Sequence, residues 1–184
     1  MGYNAIISKL SDYAPTMLNM GFATILLIAN VTAIISFIPI GIVSAKIGRK
    51  KVILFGVALL TICFGSVFFI TPETNVLMYA VLGLTGIAWA SINVNSYPMV
   101  VELSKGDEVG KYTGYYYAFS MAAQIITPIL SGFLMTNSSF GRRILFPYAA
   151  LMALIAFIIF SFVKHGDIKA ESKQSLLEHF DVED

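Results

Sequence analysis

Between positions 113 and 131, six side chains that bear a hydroxyl or an amide recur at alternating intervals of four and three: Thr113, Tyr117, Ser120, Gln124, Thr127 and Ser131. That spacing puts them on one stripe of a helix. The intervening Tyr115, Phe119, Ala122, Ile126, Ile129 and Phe133 form the other side and are nearly all apolar. Hydroxyls and amides both donate and accept hydrogen bonds, which is the chemistry that recognises a solute rich in hydroxyl groups. In an apolar surrounding they need protein or a water-filled cavity to satisfy them. The stripe reads in two ways. Either it lines a solute pathway, with Tyr117, Ser120, Gln124 and Thr127 as candidate contacts, or it joins neighbouring helices through hydrogen bonds of about 0.6 kcal/mol each.

A second candidate lies one turn apart on a preceding run, where the Trp89 indole could stack on a sugar ring while the Asn93 amide fixes a hydroxyl. A core tryptophan is the competing reading. Gly83, Gly86, Ala90 and Asn93 form a stripe of small side chains that lets another helix approach closely. Asn30 and Asn95 add polar groups at depth, and Pro39, Pro98 and Pro128 each remove a backbone hydrogen bond and can bend a helix. No Asp, Glu, His, Lys or Arg is expected well inside a long apolar run, although proton relays and cation sites usually require one. The runs also supply no nucleophile paired with a base, so an intramembrane enzyme is set aside. No metal or other cofactor is expected. Cys63 lies alone in an apolar run and reads as a packing residue, while His165 and His179 read as solvated residues of the C-terminal segment.

The elements that must position these groups follow from composition. Of 184 residues, 57% are hydrophobic and only 12% charged, against roughly 25% charged in a soluble domain. A net charge of +1 gives no field that would recruit nucleic acid. Five apolar stretches reach the length of about 20 residues that a membrane-crossing helix needs. Their cores lie at roughly 17–43, 52–70, 76–98, 113–135 and 144–163. Strand alternation is absent, so the fold class is an all-α membrane protein of about five transmembrane helices within a transmembrane domain at 15–164. Residues 1–14 carry Lys9 and Asp12 before any long apolar run; they do not follow the order of a cleaved signal peptide and read as an extracytoplasmic segment. Nine of the twelve basic residues then fall on one side, which the distribution rule makes cytoplasmic, with Lys9, Arg142 and Arg143 on the other. Residues 165–184 are expected to form a cytoplasmic, largely flexible tail.

The most specific local pattern is GIVSAKIGRKK, from Gly41 to Lys51. It resembles the cytoplasmic loop signature of the major facilitator superfamily: a Gly, three residues, Asp, Arg, any residue, Gly, then two basic residues. Gly41, Lys46, Gly48, Arg49 and Lys50 match in kind, whereas Ala45 stands at the acid's place. The departure puts the acid's charge-relay role in doubt. Because the loop occurs in both halves of that family and is often degenerate in the second, the resemblance implies spans eight to twelve of a twelve-span bundle. A second resemblance, over Asn93 to Gly132, is to the glycoside and sucrose symporter branch. Together they imply a fragment of a secondary transporter, multi-pass in the cell membrane, moving a sugar or glycoside with a cation by alternating access. Its partners would be the lipid bilayer, the small solute, and the missing half or a partner chain. The rival class is a structural or accessory membrane protein that uses the same helix packing without a central cavity.

Overall fold

An apolar segment that must satisfy its backbone away from water does so as a helix. The computed structural model, which describes residues 1–104 and 108–163, is helical in every long run. In chain order the elements are α1 (Gly2–Leu18), α2 (Phe22–Ile47), α3 (Arg49–Val67), α4 (Leu77–Leu103), α5 (Val109–Asn137) and α6 (Leu145–Ser161). Short 3₁₀ turns at Pro72–Thr74 and Gly141–Ile144 precede α4 and α6. Five helices, all but α1, are long and apolar enough to cross a membrane. They correspond to the five expected spans, with boundaries shifted by a few residues. The segments 105–107 and 164–184, with the expected tail, Lys105 and both histidines, lie outside the described residues.

Residues 2–14 are helical and pack on the bundle. They belong to α1, a helix of 17 residues whose Ala5, Ile6, Leu10, Tyr13, Ala14 and Leu18 are buried. Its apolar positions follow a helical period, but Ser8, Lys9, Ser11 and Asp12 interrupt any continuous apolar run. Only packing shows it as part of the bundle. At about 1.5 Å per residue it spans about 25 Å, short of a full crossing of about 30 Å. Asn19, in the left-handed conformation at φ 53°, ends it and returns its N–H to the Ala14 carbonyl.

Helix α4 packs most extensively on α2 and α3, and α3 also packs on α6. Close approach depends on particular glycines. A Cβ on Gly86 would run into the Ala29 carbonyl and the Thr32 hydroxyl of α2, and one on Gly56 of α3 would stand 2.8 Å from the Ala88 carbonyl of α4. Thr32 Oγ1 also donates to the Gly83 carbonyl at 3.0 Å, joining α2 to α4. The core holds Phe64 and Phe146, with Tyr13 edge-on to Phe146 at 4.9 Å. Cys63 is buried, as its apolar run suggested.

The reversal between α2 and α3 takes a single residue, Gly48, at φ 99°, where a side chain would strain the backbone. This turn, with Arg49, Lys50 and Lys51, defines the basic end of the bundle. At the opposite end Asn75 Nδ2 donates to the Leu18 carbonyl at 3.1 Å, and Arg142 Nε donates to Asp12 Oδ2 at 2.9 Å. The outer surface carries large apolar side chains such as Ile34, Ile38, Phe69, Phe119, Ile129 and Phe162, all exposed in the chain alone. Water would not tolerate such a surface, and lipid does.

Candidate functional site

The polar stripe of α5 is divided by what lies on it. Thr127 and Ser131 are buried, and their hydroxyls donate to carbonyls of their own helix, Ala123 at 2.5 Å and Pro128 at 3.3 Å. Helix α1 packs on this region, with the Lys9 ammonium against Gly132. Toward the basic end the stripe opens: Tyr117 and Gln124 are exposed and Ser120 is half-buried. Gln124 Nε2 lies 3.5 Å from Ser120 Oγ, a long contact that leaves most of the amide's capacity free. Tyr117 joins Tyr116 and, on α4, Tyr97, with ring centroids 5.4 and 6.0 Å away. The groups at 117, 120 and 124 are therefore open to some degree in the chain alone, whereas the Thr127 hydroxyl is buried and bonded to its own helix.

Trp89 stacks on Tyr3 of α1, rings parallel within 7° and centroids 4.0 Å apart. One face of the indole is thus occupied by the protein. Asn93 is exposed, and its Nδ2 donates to the Trp89 carbonyl one turn back at 3.1 Å, leaving its amide oxygen as a free acceptor. Asn30 is exposed on α2, while Asn95 is fully buried on α4 and donates to Ser91 at 2.8 Å.

A polar face not foreseen from the sequence lies on α1. Ser8, Ser11 and Pro15 are exposed and Asn4 and Asp12 half-buried, opposite the buried Ile6, Leu10 and Tyr13. The intervals 4, 8, 11 and 15 are the same alternation of four and three that marks α5, so the signal was present once residues 1–14 are read as helix. Two adjacent helices therefore carry open polar faces on a bundle whose exterior is elsewhere mostly apolar, with Asn30 and Asn93 as exposed exceptions. Lys9 and Asp12 lie on α1, outside the five apolar runs for which no ionisable residue was expected.

The loop signature holds together at the basic end. Gly48 makes the turn, and Arg49 Nη2 pairs with Glu102 Oε1 of α4 at 2.7 Å, each side chain a quarter exposed. Lys50 Nζ donates to the Ser161 carbonyl of α6 at 3.2 Å, and Lys46 is exposed. Gly41 faces Val94 of α4 at ordinary van der Waals distance. Ala45 supplies no acid, and Glu102 supplies one to Arg49 from a different helix. The loop's charges thus tie α2–α3 to α4 and α6. Sequence spacing around the signature gave no sign of Glu102, which lies more than fifty residues away.

An all-helical bundle with an apolar exterior and two polar helix faces defines an integral, multi-pass membrane protein. Its family is the Major Facilitator Superfamily, to which the chain belongs, residues 2–180 matching that family's sequence pattern. Among its relatives is MJ1317 of Methanocaldococcus jannaschii, named as an uncharacterized MFS-type transporter, 30% identical over 127 residues. That match covers 68% of this chain and 30% of the relative. YyaJ of Bacillus subtilis, named as a candidate metabolite transport protein, is 28% identical over 165 residues, covering 84% of this chain and 35% of the relative. The chain spans about a third of the length of the curated relatives it matches.

Proposed function

We propose that these six helices form one half of a secondary transporter that moves a small hydroxyl-rich solute, of sugar or glycoside type, by alternating access. The observation that carries this reading is the pair of open polar faces, Asn4, Ser8 and Ser11 on α1 and Tyr117, Ser120 and Gln124 on α5, on neighbouring helices of a mostly apolar exterior. Polar groups at membrane depth persist where they face protein or water. A second half, or a partner chain, facing these helices would enclose them as one wall of a cavity between the halves. The exposed Asn93 extends the wall on α4. Among the described residues, no acid lies well inside any of the five membrane-crossing helices, so coupling to a cation would draw its carboxylate from α1 or from the facing half. The positive charge of Arg49 to Lys51 supports a cytoplasmic side for the basic end of the bundle.

Cysteine accessibility tests the wall. In the native-length protein, with Cys63 replaced by Ala, single cysteines at Tyr117, Ser120 and Gln124 should react with a small charged thiol reagent, because water ionises thiols along a pathway. Cysteines at Phe119, Ile126 and Ile129 should not. Equal reactivity of the two sets, or silence at 117, 120 and 124 in both inward- and outward-facing conditions, would assign the stripe to helix packing.

A further inference from the structure

Building on that wall, we propose that the Lys9 ammonium is its anion-recognising group, so that the solute is a hydroxylated carboxylate of the sugar-acid kind. Three observations fix the ammonium's surroundings. The first is depth. Tyr3 stacks on Trp89, near the midpoint of α4, and Asn75 in the connecting segment holds the Leu18 carbonyl at the opposite end. Lys9 lies between these levels. Its Nζ rests 3.1 Å from the Cβ position of Gly132, five residues inside the end of α5, or about 7.5 Å at the rise of a helix. The ammonium therefore rests more than a turn inside the end of α5.

The second observation is that the charge has no acid to pair with. Among the described residues Lys9 makes no ion pair and no hydrogen bond, and Asp12, one turn away, is engaged by Arg142 at 2.9 Å. An ionised side chain in a membrane helix needs a partner or water, and is by default a marker of a substrate or ion path. The third is room. Lys9 is half-buried at the seam of α1 and α5, beside the open Ser8, and the missing side chain at Gly132 leaves space for the ammonium. A carboxylate of the solute would meet the ammonium in a charge-assisted hydrogen bond, while Asn4 and the acceptor side of the Ser8 hydroxyl, which itself donates to the Ala5 carbonyl at 3.1 Å, offer groups for adjacent hydroxyls.

The test uses the native-length protein in membrane vesicles, with Cys63 replaced by Ala and a single cysteine at Ser8. Labelling rates are compared for an anionic and a cationic methanethiosulfonate. Lys9→Gln should lower the anionic-to-cationic rate ratio by about fivefold, the scale of one nearby charge in a wetted site. Lys9→Arg should keep the ratio high, which separates charge from packing. Gluconate should slow labelling more than sorbitol, its neutral counterpart, while Lys9 is present. An unchanged ratio in Lys9→Gln overturns the proposal, as does equal protection by the two polyols. If the Ser8→Cys thiol reacts with neither reagent, the α1 face is dry. That result removes the pathway reading itself, and the proposal with it.

Discussion

Gly86 of α4 and Gly132 of α5 are both helical glycines at a helix seam, and they meet neighbours of opposite kinds. A side chain at Gly86 would strike a backbone carbonyl of α2, which moves only if the helix moves. A side chain at Gly132 would meet the far end of Lys9, which can swing aside. The α2–α4 seam is thus set by backbone contact and the α1–α5 seam by a mobile charge. Rigid packing and open polar groups are divided between different helices: α4 braces the bundle, and α1 with α5 presents polar groups. Under the alternating access proposed above, this division would keep the frame intact as the lining side chains rearrange.

The comparison is broken most directly at Gly86. Gly86→Ala should lower stability by about 1–3 kcal/mol, the scale of an overpacked contact, seen as a reduced unfolding temperature in detergent, and Gly86→Leu should abolish the folded yield. A wild-type melt for Gly86→Ala would mean that α2 and α4 are not in backbone contact. An intermediate effect is expected at the basic end. There Arg49→Gln and Glu102→Gln should show a coupling of about 1 kcal/mol or less in a double-mutant cycle, since both partners are partly solvated. Coupling that vanishes would detach the loop from α4. The smallest effects belong to Gly132→Ala and Gly83→Ala, each within about 0.5 kcal/mol of wild type. At Gly83 a Cβ meets nothing nearer than 3.7 Å, although Gly83 and Gly86 share one stripe. A large loss at Gly83 would show that the seam is tighter than the present crossing; a large loss at Gly132 would make Lys9 a structural wedge.

Helices α2 to α6 were legible because each is an apolar run long enough to cross a bilayer, and that property belongs to the run itself. The alternation on α5 was legible for the same reason, since the period of a helix needs no neighbour to define it. So was the loop signature, whose turn at Gly48 is a local backbone matter. Helix α1 was not, because its polar residues and short length hide it from a search for apolar runs, and burial of Ile6, Leu10 and Tyr13 against α5 and α6 is what makes it part of the bundle. Burial of Thr127 and exposure of Gln124 are decided by which helix lies across α5. Likewise the unequal roles of Gly83 and Gly86, the stacking of Trp89 on Tyr3, and the pairing of Arg49 with Glu102 depend on groups distant in the chain. A period of 3.6 residues states which side chains share a face; only the crossing of two helices determines what that face touches.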